Sequence, residues 1–110
     1  MKIIKKENRI YFEYKDISYA NISINNDFIK IELIKTNTPY RSKGFASKML
    51  VYIIDYINKH YKSKTKIILS PLPLDHNCFN IEQLISFYSR YKFFLDNNSD
   101  KFTTSMIRHK

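Results

Sequence analysis

Glycine is nearly missing from this chain. In 110 residues there is one, Gly44, where average usage would give about eight, so its position carries information. Cysteine is as scarce: Cys78 has no second cysteine to pair with, which excludes an internal disulfide and agrees with a reducing compartment. Acidic residues number 10 against 19 Lys and Arg, for a formal charge of +9. Long apolar runs are missing as well. No stretch approaches the roughly 18 residues of a membrane span, and Met1–Asn8 has only Ile3 and Ile4 where a secretory leader needs a longer apolar run. These absences predict a cytoplasmic protein with no membrane partner.

What is present is enough for a core. Hydrophobic residues make up 44% and aromatics 15%, far above the content of a disordered chain. The length allows one domain, which buries roughly two-thirds of the unfolded surface without help from metals or disulfides. No linker, repeat or composition shift divides it, so residues 1–110 read as a single domain. The charge is harder to read. Lys, Ile, Asn and Tyr are abundant together, the pattern of an A+T-rich genome, so the +9 reflects coding bias or an acidic partner.

Tyr11–Tyr14 and Ile17–Ile24 are β-branched and aromatic, and the Lys15-Asp16 turn between them marks a hairpin. Asn25-Asn26-Asp27 then turns the chain into Phe28–Thr36, where Ile29, Ile31 and Leu33 alternate with Lys30 and Glu32. The period next becomes helical: Ala46, Met49, Leu50, Ile53, Ile57 and Tyr61 share a face opposite Lys48, Asp55, Asn58, Lys59 and Lys62, which predicts a helix over Phe45–Tyr61. Lys66–Ser70 is a short apolar strand ended by Pro71 and Pro73. Asn80 with Gln83 forms a capping box for a second helix, whose stripe is Ile81, Leu84, Ile85 and Tyr88. Phe93–Leu95 and Phe102–Ile107 close the domain as a hairpin. The order is βββαβαββ, an α/β (α+β) domain with two main helices and a mixed, mostly antiparallel sheet. Its strand–helix–strand unit requires a parallel pair with a right-handed crossover.

The segment with the most chemistry joins the third strand to the first helix: Thr38-Pro39-Tyr40-Arg41-Ser42-Lys43-Gly44-Phe45-Ala46. Backbone N–H groups at a helix N-terminus form an anion site, and a residue without Cβ lets phosphate oxygens approach the backbone. Arg41 and Lys43 would add charge. The plainer alternative is that Gly44 only makes a turn and both cations are solvated.

Arg41-x-x-Gly44-x-Ala46, set between a strand and an amphipathic helix, resembles the Arg/Gln-x-x-Gly-x-Gly/Ala motif of the GCN5-related N-acetyltransferases. Ile31-Glu32-Leu33-Ile34 is similar to that family's strand before the motif, and Ile67–Pro71 to the strand after the helix. Leu84–Phe93 is similar to its second helix with a Tyr-x-x-x-Gly-Phe ending. The resemblance runs from about Tyr11 to Ile107 and is strongest to compact, phage-type (anti-CRISPR-like) members. It implies acetyl-coenzyme A as cosubstrate and no metal. Its pyrophosphate would lie on Arg41, Ser42, Lys43, Gly44, Phe45, Ala46 and Ser47. Its pantetheine would lie in a V between Glu32–Thr36 and Lys66–Ser70, with an amide near Leu33 or Ile34 polarising the thioester carbonyl. There are departures. Ala46 replaces the second glycine, Lys92 stands where glycine precedes the Phe, and the family's first strand and front helices, which wall the acceptor site, have no counterpart in the roughly ten residues before the meander.

The resemblance also places Tyr88 at the position of the general acid that protonates the departing thiolate, a role suited to a phenol that is neutral at pH 7. The competing reading is a core aromatic on a helix stripe, in a chain with nine tyrosines. Glu32 lies close to where some members place a carboxylate that deprotonates the amine, directly or through water; its alternative is a charge pair with Lys30. His76-x-Cys78 supplies two metal-ligand types but no second pair, and a structural zinc site needs four ligands. Asp75 and His76 read as solvated loop residues, and no Ser-His-Asp or Cys-His arrangement stands out.

The function expected is acetyl transfer to a primary amine. An open acceptor side suits a protein lysine or N-terminus, on an acidic or nucleic-acid-associated target, although a homodimer partner would complete a small-molecule pocket. Two other classes remain open. Lysines interleaved with Tyr and Phe also suit a basic nucleic-acid-binding module, against which many of the aromatics fall at core positions. The third is a fold of this family that binds a partner without catalysis.

Overall fold

The computed structural model describes residues 1–41, 43–64, 66–70, 81–95 and 105–109. The strands β1 (Lys2–Lys6), β2 (Arg9–Tyr14), β3 (Ser18–Ile24) and β4 (Phe28–Thr36) form an antiparallel meander, with apolar residues alternating in β2, β3 and the first part of β4. A short 3-10 turn at Thr38–Tyr40 leads to helix α1 (Phe45–His60), and β5 (Lys66–Leu69) returns parallel to β4. Helix α2 (Ile81–Ser89) precedes β6 (Phe94–Leu95) and β7 (Met106–His109). The sheet has seven strands in the order β1-β2-β3-β4-β5-β7-β6, with β4–β5 the parallel pair at its centre.

The mixed sheet, the parallel pair and the two helices agree with the order expected from the sequence, with one strand added at the front. Lys2–Lys6 pairs with β2, Ile3 opposite Phe12. The reading from Tyr11 onward missed β1 because Lys-Ile-Ile-Lys-Lys has no alternation, and all five residues are exposed. As an edge strand it needs no buried face, and its lysines discourage pairing with another copy. At the other edge, Phe93 precedes β6 and is fully buried, while β7 continues to His109. Residues 102–104 of the expected last strand lie outside the described residues.

One core holds the domain. Ile10 and Phe12 of β2, Ala20 and Ile22 of β3, Ile29 and Ile31 of β4, and Ile67 and Leu69 of β5 cluster with Met49, Leu50, Ile53, Ile54 and Ile57 of α1. Ile54 joins the buried stripe expected from the helical period, while Tyr61, just past the helix, packs partly against it.

The scarcity of glycine shows in the turns. Glu7 (φ 52), Lys15 (φ 48), Asp16 (φ 59) and Lys92 (φ 68) all adopt left-handed backbone, a conformation that costs a side-chain-bearing residue about 1–2 kcal/mol. Lys92 answers the departure noted in the sequence: the turn after α2 forms without glycine. The Phe93 N–H bonds the Tyr88 carbonyl at 3.3 Å and the Lys92 N–H bonds the Ser89 carbonyl at 3.2 Å, the two bonds of a Schellman cap, with Phe93 packed on Tyr88 as its apolar contact. Replacing Lys92 with glycine is therefore expected to raise stability by about 1 kcal/mol, a Tm gain of about 4 °C. Lys92→Ala, which retains a Cβ, should show no such gain in the same thermal melts. The expected Asn80 cap of α2 lies outside the described residues.

Candidate active site

The parallel pair is short. It runs from Phe28 opposite Lys66 to Ile31 opposite Leu69 and stops, while β4 continues to Thr36 paired with β3 alone. At the stopping point the β3–β4 register slips: Ile22 pairs with Ile31 and Asn21 with Leu33, leaving Glu32 unmatched in a β-bulge. A bulge bends its strand and re-aims the backbone. From Glu32 onward, the edge of β4 on the β5 side has no strand beside it among the described residues. The expected V between Glu32–Thr36 and Lys66–Ser70 is corrected in its bounds: Lys66–Leu69 is paired with Phe28–Ile31, so the two strands can part only beyond Ile31 and Leu69.

The bulge corrects the simple alternation read from the sequence. After Glu32 it is Ile34, not Leu33, that packs against the core. The sequence does contain a signal for this, since Leu33 and Ile34 are consecutive apolar residues in an alternating strand.

The loop after β4 is tied down at several points. The Asn37 N–H bonds the Ile17 carbonyl at 2.8 Å, and the Asn37 Nδ2 donates to the Asp16 carbonyl. The Arg41 Nε donates to the Thr36 carbonyl at 3.1 Å, so the guanidinium braces the loop across its own base. Tyr40 and Tyr14 each pack on Phe45 with ring centroids 6.1 Å apart. Lys43 is exposed, and Ser42 lies outside the described residues. The α1 ladder begins with the Lys48 N–H on the Gly44 carbonyl at 3.1 Å. The preceding amides of Phe45, Ala46 and Ser47 have no acceptor within the helix, no side chain caps them, and the first turn contains no acid.

Gly44 itself is left-handed, φ 84 and ψ 5. That conformation favours glycine: φ 84 lies beyond the φ 48–68 at which Glu7, Lys15, Asp16 and Lys92 adopt left-handed backbone, and a side chain there is strained. Packing adds no further demand, because a Cβ built at Gly44 meets no described atom within 4 Å. Gly44 thus leaves open space directly before the first amides of α1, and a residue without Cβ lets an anion approach the backbone.

Tyr88 is in the last turn of α2, partly buried, with ring centroids 5.1 Å from Phe87 and 6.1 Å from Phe93. Burial pushes its phenol up to about 12 from the usual 10.0. The neutral phenol is the form the fold favours, so its contribution is complete below pH 10 and is lost as the pH rises toward 12, about 2–3 kcal/mol in all. Urea unfolding at pH 8 and pH 11 should show this loss, and Tyr88→Phe should lack that part of it. Glu32 is exposed on the face of β4 opposite the core. Its Oε1 accepts the Ser23 hydroxyl at 2.8 Å, and its Oε2 lies 3.8 Å from the Lys30 ammonium. The charge pair weighed from the sequence is therefore present, and Ser23 is a partner that sequence spacing did not reveal.

Asp75, His76 and Cys78 lie outside the described residues; among the described ones, no three His, Cys, Asp or Glu side chains gather as a metal site. No described helix is long and apolar enough to cross a membrane.

No protein-family model and no curated protein matches the chain by sequence. Solved structures do match. The anti-CRISPR protein AcrVA5 superposes with a TM-score of 0.75 at 22% identity, over 92% of this chain and 98% of its own. The PaiA N-acetyltransferase of Thermoplasma acidophilum, solved with coenzyme A, gives 0.66 at 14% identity, over 93% of this chain. The chain has the GCN5-related N-acetyltransferase fold. The ribosomal-protein-S18-alanine N-acetyltransferase of Escherichia coli shares the fold with a TM-score of 0.69 at 13% identity, over 96% of this chain. The present chain spans 60% of the Thermoplasma protein and 71% of the Escherichia coli one, and at these identities the likeness is one of fold.

Proposed function

We propose that the chain transfers the acetyl group of acetyl-coenzyme A to a primary amine, a protein lysine or an N-terminal amine. The observation that carries this reading is Gly44. Its left-handed angle already favours glycine, and with no described atom within 4 Å of where a Cβ would stand, the start of α1 is also open to a ligand that needs close approach to the backbone. Pyrophosphate on the amides of Phe45, Ala46 and Ser47 fits that demand, with Lys43 adding charge and Arg41 holding the loop. Coenzyme A, bound in a protein of the same fold, has this pyrophosphate, and its pantetheine suits the free edge of β4 at Leu33 and Ile34.

The reaction forms an N–C bond and breaks a C–S bond. The amine loses one proton and coenzyme A gains one, so no further reactant is needed. An amide of the bulged segment at Leu33 or Ile34 donates to the carbonyl oxygen as it becomes an oxyanion. Tyr88 donates to the departing sulfur. With its phenol at about 12 and an ordinary thiol near about 8.5, full transfer of the tyrosine proton is uphill. Its role is a hydrogen bond that stabilises the developing thiolate, which takes its final proton from the amine through solvent.

Glu32 receives the amine proton, directly or through water. Glu32→Gln should lower the rate at neutral pH and move the rise of the pH–rate profile; an unchanged profile would remove Glu32 from the reaction. The acceptor is a protein segment, acidic or nucleic-acid-associated, a reading supported by Glu32 and Lys35 being exposed on β4 and by the basic charge of the chain. Thiol release from acetyl-coenzyme A in the presence of lysine-bearing and free-N-terminal peptides tests the whole reading. Release with one peptide class supports it, whereas coenzyme A binding without release on any amine makes the chain a binding protein on an acetyltransferase fold.

A further inference from the structure

A second site is built beside the loop, on the α1 side of the sheet. A cavity of about 280 Å³ lies between the end of β2, the start of β3 and the first two turns of α1. Its walls are aromatic: Tyr14 and Phe45, with ring planes tilted only 36° apart, and Tyr52. Met49, an adaptable side chain, lines it as well. Ser18 is at its floor. That residue is 1% exposed, and its hydroxyl has no hydrogen-bond partner among the described residues. Thr36, its direct neighbour across the β3–β4 ladder, also has a buried hydroxyl oxygen without a partner. Buried hydroxyls are normally paired, and one without a described partner lining an aromatic cavity, with a second beside it on the next strand, matches the pattern of a ligand site. The cation of Lys48 is at the other side of the cavity, 5.6 Å from the centre of the Phe45 ring.

We propose that this cavity binds a planar aromatic anion, its ring against the wall formed by Tyr14, Phe45 and Tyr52, its anionic group on Lys48, and a hydrogen-bonding edge on the Ser18 hydroxyl. The site is separate from the β4 edge and stands whether or not the chain transfers acetyl groups. Two sources offer this chemistry: a free aromatic carboxylate, or the adenosine bisphosphate head of coenzyme A, whose pyrophosphate would lie next door on the same helix start. Phe45 belongs to both sites, so an occupant here also steadies the loop.

Methionine-methyl NMR on the full chain tests the site, because Met49 lines the cavity and Met106, fully buried in the core, serves as reference. The probes are 4-hydroxybenzoate, benzoate and adenosine 3′,5′-bisphosphate. A saturable shift of Met49 without Met106 is expected. Lys48→Glu should weaken the bound probe about tenfold or more, while Lys59→Glu, the same charge change at the far end of α1, should have less than about twofold effect. Ser18→Ala should erase any preference for 4-hydroxybenzoate over benzoate without lowering Tm. A shift with the bisphosphate alone identifies the coenzyme head as occupant, and a shift with the benzoates alone identifies a free aromatic acid. An unmoved Met49, or a shift indifferent to both Lys48→Glu and Ser18→Ala, overturns the proposal and leaves the cavity merely hydrated.

Discussion

Tyr88→Phe is expected to lower acetyl transfer about 100-fold while changing coenzyme A affinity by less than about twofold. The phenylalanine keeps the ring contacts with Phe87 and Phe93 and the apolar half of the Schellman cap, so the fold is not at risk. On the proposed mechanism, removing the hydroxyl takes away the donor to the departing sulfur, an interaction made in the transition state rather than on binding, so the loss falls on kcat and not on KM. Because the phenol is pushed up to about 12, the wild-type enzyme should show no loss of rate from Tyr88 ionisation below about pH 10. Steady-state thiol release across pH 6–10 measures both. A variant with wild-type turnover would return Tyr88 to the core and leave the sulfur without an assigned donor.

Gly44→Ala is expected to weaken coenzyme A binding about tenfold or more and to lower Tm by several degrees. Two physical effects are combined here, and a second variant separates them. At φ 84 an alanine pays about 1–2 kcal/mol of backbone strain, which appears in Tm. The added Cβ meets nothing in the protein but occupies the approach to the α1 amides, which appears in affinity. Asparagine tolerates left-handed backbone better, so Gly44→Asn should recover part of the lost Tm and none of the lost affinity. Normal coenzyme A affinity in Gly44→Ala would detach the chain's one glycine from ligand binding.

These two residues show how unevenly the structure was legible. Periodicity sufficed for α1, since Met49, Leu50, Ile53 and Ile57 state their face through spacing alone, and the Lys15-Asp16 turn was visible between two β-rich runs. Gly44 was marked by rarity, although its left-handed angle and the open space around it are properties of the fold. The edge strand β1 was not legible, because an exposed lysine-rich strand has no buried face to produce a pattern. The bulge at Glu32 depends on a register slip between β3 and β4, a relation between distant segments. Its local trace, Leu33 next to Ile34, resembles ordinary strand composition. The Ser23 hydroxyl on Glu32 arises from the same pairing, and the left-handed Lys92 stands where sequence preference favours glycine.

Amide hydrogen exchange, read residue by residue with and without coenzyme A, tests the central claim most directly. The account predicts slowed exchange at Leu33 or Ile34 on the free edge of β4 and at Phe45, Ala46 and Ser47 at the start of α1, with the exposed strand β1 unchanged. Saturating coenzyme A that leaves both segments exchanging as in the free protein would contradict it.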